Sequence, residues 1–338
     1  MISVTDIAVV GGGPAGTSAA IWAALSGRSV VLVERSAFPR ARPGETLHPG
    51  VESIFRQLGV LDSVEAACTC RFAGIVVNWG GQREATAFGR SGTGEWLGYQ
   101  IDRGDLDAIL IARARELGVV VLQPCRALDI RFGDGLAAVS TSQGVVIARY
   151  VIDASGQANW IGRKLRLDYE IASPPLRARY GYCIPPKTWT DCRPHLSGDV
   201  TGWWWSARVS PTRLAWARLN WSGHQRGKPD SLADLLDVGR TLGADVTWKR
   251  LFMPAGSHYF VCGDAAAVLD PASSHGVLKA AMSGMMAAYQ ASAVLVGLSA
   301  YEGAARYVRW LESWWKGDVV RLNTLYRQLD SGWNRPPR

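Results

Sequence analysis

The sequence predicts an α/β fold: a parallel sheet assembled from separated stretches of chain, with a smaller antiparallel sheet inserted between them and helices at the C-terminal end. Three observations predict it. A short apolar run near the N-terminus leads straight into a glycine cluster and then a helical pattern. A second strand, tight turn and helix start follows near residue 260. Between them lie short strand-like segments rich in aromatics and turn residues. With 338 residues, 48% apolar and 20% charged, the chain is long enough for one large domain or two modest ones around a sizeable core. The net charge is +8, but the basic residues are scattered, so they are read as a solubility feature and not as a nucleic-acid site.

The first strand is Thr5–Val10, and its apolar end is that of a buried strand, not of a signal peptide. Gly11, Gly13 and Gly16 then supply a G-x-G-x-x-G frame. Gly11 permits the tight turn, Gly13 lets a phosphate approach the backbone, and Gly16 lets the helix lie close to the strand. Pro14 and Ala15 open that helix, which runs to about Leu25 and stops at Gly27. Its free N–H groups make a site for a pyrophosphate. A second strand, Ser29–Val33, ends at Glu34 and Arg35, where a carboxylate suits the hydroxyls of an adenosine ribose.

Further along, Tyr99–Asp107 leads into a helix ending near Leu117. Arg103 stands at its start, where a cation gains nothing from the helix dipole unless an anionic ligand is near. Val151–Gly156 reads as strand and turn, and Tyr259–Val261 as a strand turning at Gly263 and Asp264. Pro271 interrupts the chain before an alanine-rich helix that begins near Ser274, with Gly276 and Val277 in its first turn. The stretch Tyr301–Leu329 reads as one or two helices, with Tyr307, Trp310 and Trp314 at helical spacing and Trp315 beside them. That stripe suits a core or a docking face. The tail Asn334–Arg338 reads as disordered. Domain boundaries are expected at 1–75, 98–165 and 250–295 for the nucleotide domain, 76–97 and 166–249 for the inserted sheet, and 296–330 for the helices. Trp203 and Trp205 should share one face of a strand and Trp204 the other.

Taken in order, these segments resemble the FAD-dependent monooxygenases and flavin halogenases, whose fold is similar to that of glutathione reductase and p-hydroxybenzoate hydroxylase. Arg103-Gly104-Asp105-Leu106-Asp107 resembles their Arg-x-x-Leu-Asp segment, Gly263-Asp264-Ala265 their Gly-Asp-Ala, and Asp270-Pro271 through Gly276 their Asp-Pro-x-x-x-x-Gly loop. Arg42-Pro43-Gly44-Glu45-Thr46 resembles the strap that lies along the isoalloxazine in the halogenases. The resemblance implies FAD as cofactor. The candidate contacts are Gly11, Gly13, Pro14, Ala15, Gly16, Glu34, Arg35, Arg42, Gly44, Glu45, Thr46, Arg103, Ala127, Gly263, Asp264, Pro271, Ser274, Gly276 and Val277. Electrons would come from NAD(P)H directly or through a separate flavin reductase, since no second glycine motif is visible.

For chemistry, the resemblance places His48 and His275, two of five histidines, against the flavin as acid–base candidates. Arg71 matches the position of the halogenase lysine, and a guanidinium has no free amine to offer. Ala207 and Arg208 also replace the Ile-Pro of the halogenase Trp-x-Trp-x-Ile-Pro motif, and Ser273 stands where tryptophan halogenases carry glutamate. Oxygen insertion through a flavin hydroperoxide is therefore expected over halogenation. The start of the helix after Asp270 resembles that of the flavoproteins that mature the quinone cofactors of glycine oxidase and lysine ε-oxidase. This implies an aromatic side chain of a partner protein, or a carrier-bound group, as substrate. The alternatives are a small-molecule aromatic hydroxylase, a halogenase-like enzyme and a reductase. Six cysteines without a metal-binding pattern are expected as reduced thiols in a cytoplasmic protein, with no membrane span, no metal and no nucleic acid partner.

Overall fold

The computed structural model describes residues 4–92, 94–221, 227–273, 275–330 and 333; Ser274 and the tail at 334–338 lie outside these. Among the described residues the α-helices are α1 (Pro14–Leu25), α2 (Val51–Leu58), α3 (Leu61–Ala67), α4 (Arg103–Glu116), α5 (Trp160–Leu165), α6 (Gly276–Leu295) and α7 (Ala300–Leu329).

The nucleotide sheet is eight-stranded. Its parallel centre runs Val120–Leu122, Val30–Val33, Val4–Val10, Gly144–Asp153 and Tyr259–Val261. The inner parts of these strands are apolar because helices cover the sheet, and Ile7, Ala8 and Val9 are fully buried. The proline at the start of α1 and the alanines behind it suit a helix packed tightly on its strand. Asp102 caps α4, its carboxylate accepting from Gly104 N at 2.7 Å, and Ser299 caps α7 by accepting from Glu302 N at 3.1 Å.

The inserted sheet has seven strands in the order Asp237–Asp245, Arg177–Cys183, Arg213–Asn220, Gly202–Ser210, His195–Asp199, Gly74–Trp79 and Gln82–Ala87. It is antiparallel except at one seam. His195–Asp199 runs parallel to Gly74–Trp79, where two stretches distant in sequence meet. The long connection between them is what permits a parallel pair.

At the C-terminal end, α7 is one helix, not two. Tyr307 and Trp315 are fully buried on it, and Trp310 and Trp314 pack against the same core. Tyr307 donates a hydrogen bond to Val261 O at 2.7 Å. The aromatic stripe thus packs on the nucleotide domain, with Trp310 and Trp314 partly buried. The expectation of six reduced thiols is also corrected: Cys70 and Cys192 form a disulfide, with Cys68, Cys125, Cys183 and Cys262 free. It ties the strand Cys70–Phe72 to the inserted sheet, a pairing the sequence spacing did not suggest. No described helix is long and apolar enough to cross a membrane, and no described group of His, Cys, Asp or Glu is arranged to hold a metal.

Candidate cofactor and active site

A cavity of about 1010 Å³ lies between the nucleotide sheet and the inserted sheet. At one end the turn after the first strand sets its shape. Gly11 has φ +110°, and a Cβ there would lie 2.4 Å from Ala154 O. A Cβ on Gly16 would lie 1.8 Å from Gly11 O, so both positions require glycine. Gly16 does not line the cavity; it lets α1 sit close enough for Gly11, Gly13, Pro14 and Ala15 to do so.

Next to this turn stand Glu34 and Arg35. Glu34 is buried and fixes the loop: one carboxylate oxygen accepts from Gly12 N at 2.6 Å, the other from Ser36 N at 2.8 Å and from Arg40 at 3.1 Å. Arg40, which the sequence reading passed over, also bonds Asp107 at 3.2 Å and so joins the turn to α4. Its place two residues before Arg42 was the available signal.

The strap forms another wall through Arg42, Gly44, Glu45 and Thr46. Arg103 supports it from α4 by donating to Pro43 O at 2.8 Å and to Asp107 at 3.0 Å. Thr46 donates to the Gln100 side chain at 2.7 Å. Ala127, Gly263, Asp264, Pro271, Gly276 and Val277 complete the lining expected from the sequence. Asp264 opens to the cavity but is otherwise enclosed by protein, and burial raises its carboxyl above the usual range while Arg103 opposes the rise. Ser274 lies outside the described residues.

The inserted sheet closes the cavity with aromatic rings. Trp203 and Trp205 line it and Trp204 does not, as strand alternation requires. Tyr180 and Tyr182, neither anticipated, alternate in the same way two strands away, across Arg213–Asn220, and line it too. Every basic side chain among the described lining residues is an arginine: Arg35, Arg40, Arg42, Arg103, Arg126 and Arg163.

The three candidate catalytic residues are not brought to this lining. His48 and His275 lie against each other, with ring centroids 4.6 Å apart, and His48 Nδ1 accepts from Gly50 N at 3.0 Å. Burial holds the His48 imidazole below its ordinary value, which favours the neutral form. Arg71 is committed elsewhere: it bonds Glu65 at 3.0 Å, Glu52 at 3.3 Å and the carbonyls of Leu97 and Gly98 at 3.2 Å, over the ring of Tyr99. It is a structural cation joining α2 and α3 to the strand beside the strap.

The lining fits a dinucleotide. A Cβ on Gly13 would meet only an Arg40 nitrogen, at 3.4 Å, so the space above the start of α1 is open to a ligand. The first turns of α1 and α6 both face the cavity, where their free N–H groups favour negative charge. The family model described as an FAD binding domain matches residues 4–181. A tryptophan 2-halogenase of Chondromyces crocatus is 28% identical over 87% of this chain and 62% of its own length. A carrier-protein pyrrole-2-carbonyl chlorinase of Pseudomonas fluorescens is 30% identical over 48% of the chain and 41% of its own. This chain thus spans less than two thirds of either relative. Among solved structures, a myxobacterial chondrochloren halogenase superposes with a TM-score of 0.88 at 23% identity, covering 98% of this chain and 85% of that one, which establishes a shared fold.

Proposed function

This chain belongs to the FAD binding domain family, with FAD as its cofactor, and from that premise we propose that it is a halogenase-like flavoenzyme that oxidises an electron-rich aromatic ring. The observation that carries the proposal is the shared cavity: one end is a dinucleotide cradle and the other is walled by Trp203, Trp205, Tyr180 and Tyr182. Bound FAD, once reduced, supplies the electrons that activate dioxygen. The chain's own residues do the rest. The turn at Gly11 and Gly13 and the start of α1 bind the phosphates, with Arg42 nearby as a counter-charge. The first turn of α6 favours negative charge at the ring end. The aromatic wall orients a planar substrate and excludes water.

The halogenase relatives favour halide as the group delivered to the ring, and give no support to hydroxylation of a partner protein's side chain. One observation favours oxygen instead: the described lining contains arginines but no lysine, and a guanidinium offers no free amine at neutral pH. The chlorinase relative acts on a carrier-bound pyrrole, which supports a carrier-bound ring as substrate here. Electrons are proposed to come from a separate flavin reductase or from transiently bound NAD(P)H.

The experiment supplies FAD, NADH, a flavin reductase, bromide and ¹⁸O₂ to the purified protein, with free and carrier-bound indoles, pyrroles and phenols. A product carrying bromine establishes the halogenase reading, and one carrying ¹⁸O the oxygenase reading. NADH-dependent oxygen uptake with neither product, across this panel, refutes ring oxidation.

A further inference from the structure

The strap is held from two sides, and the second has no counterpart in the motifs that identify the cofactor site. On the nucleotide side Arg103 holds Pro43 O. On the other, Tyr182 of the inserted sheet donates its hydroxyl to Glu45 at 2.5 Å, while Gly44 N donates to the other Glu45 oxygen at 2.8 Å. Arg213, on the next strand of the same sheet, lies 4.2 Å over the Tyr182 ring and 3.9 Å from Glu45. It also donates to Asp102 at 2.9 Å, the residue that caps the helix carrying Arg103.

We propose that Tyr182 and Arg213 are positioning residues that fasten the strap through Glu45, so that the aromatic sheet and the flavin site move as one unit. The inference rests on FAD occupying this cavity. Glu45 is only 3% exposed and lines the cavity. A buried carboxylate must be satisfied, and here the hydroxyl, one backbone N–H and one flanking cation do so. Without the hydroxyl, Glu45 has no strong partner on the inserted sheet, and the strap and the aromatic wall lose their one shared side-chain bond at that oxygen. The charged groups facing Glu45 are Arg213 on the sheet, with Asp102 behind it, and Arg103 beyond the strap backbone. Burial pushes the Glu45 carboxyl up, and Tyr182 and Arg213 pull it back toward the ionised form.

The test measures FAD affinity by titrating the apoprotein, together with the visible spectrum of the bound flavin, in the wild type, Tyr182→Phe, Glu45→Met, the double variant and Arg213→Gln. A hydrogen bond to a buried charge is expected to show as an FAD affinity about tenfold weaker in Tyr182→Phe, with an altered bound-flavin spectrum. Adding Tyr182→Phe to Glu45→Met, which has no oxygen to accept the hydroxyl, should then change affinity by less than about twofold, because the hydroxyl acts through that carboxylate. Arg213→Gln, which alters a partly exposed cation, should weaken binding in the same direction and keeps the test open should Tyr182→Phe not fold. Unchanged affinity and spectrum in Tyr182→Phe and Arg213→Gln, or additive effects in the double variant, overturn the inference while leaving FAD binding intact. A wild type that takes up no FAD overturns it together with the proposed function.

Discussion

Replacing Asp270 with asparagine should have an effect on stability that changes steadily with pH across the acid-to-neutral range. Asp270 is 1% exposed. It accepts hydrogen bonds from Ala272 N at 2.8 Å and from the hydroxyl of Tyr326, which itself accepts from Trp203 Nε1 at 2.6 Å. Burial raises its carboxyl from 3.8 to about 6, against the opposing pull of these donors. A carboxyl whose folded value is raised contributes stability that is fully present below the unfolded value and lost as pH rises through the folded one. At about 1.4 kcal/mol per pH unit, the contribution lost between about pH 3 and about pH 7 is on the order of 3 kcal/mol. The amide of the Asp270→Asn variant cannot ionise and loses none of it. Urea denaturation of both proteins across that range, followed by tryptophan fluorescence, isolates the residue, because every other titrating group cancels in the difference. The wild type should lose about 3 kcal/mol relative to Asp270→Asn on going from the acid end to neutrality. A difference that stays flat across the range refutes the reasoning.

Three further outcomes are expected. Gly13→Val should abolish FAD binding by filling the open space above α1, with melting of the apoprotein little changed; retained FAD in a heat-released extract would contradict the assignment. Thiol titration in denaturant should find four reactive thiols without reductant and six after reduction, and removal of this crosslink, which spans 122 residues, should lower stability by about 2–4 kcal/mol. Arg71→Ala should lose about 1 kcal/mol of stability, since its ion pairs are partly solvated, and should leave FAD affinity unchanged when both are measured by titration and melting.

The cofactor end of the site was legible because its geometry is local. Gly11, Gly16 and Glu34 act through neighbours fixed by one strand and one helix, and the spacing of the glycines encodes that arrangement. The same is true of Arg103 at the start of α4 and of the turn at Gly263. The aromatic end was only partly legible. Alternation placed Trp203 and Trp205 together, but Tyr180 and Tyr182 join them through strand register, which no local pattern states. The place of Arg71 was not legible for a similar reason: position along the chain aligns it with a lysine, whereas Glu52 and Glu65 decide where its charge goes. His48 and His275 stand in the expected loops, yet their rings turn to each other. The disulfide joins residues whose proximity arises only from docking of the inserted sheet.

The interleaving of the two sheets bears on how the chain reaches this structure. The nucleotide sheet needs Val4–Val10, Gly144–Asp153 and Tyr259–Val261 side by side, and the inserted sheet needs Gly74–Trp79 beside His195–Asp199. During synthesis, therefore, Gly144–Asp153 waits with one edge open until Tyr259–Val261 emerges, and Gly74–Trp79 waits for His195–Asp199. Loop closures of this size are slow, and open strand edges invite pairing with other chains. Early capture of a dinucleotide by the completed glycine turn and its first two neighbouring strands would stabilise the nascent half of the molecule, so cofactor supply during expression should govern how much of the protein escapes aggregation.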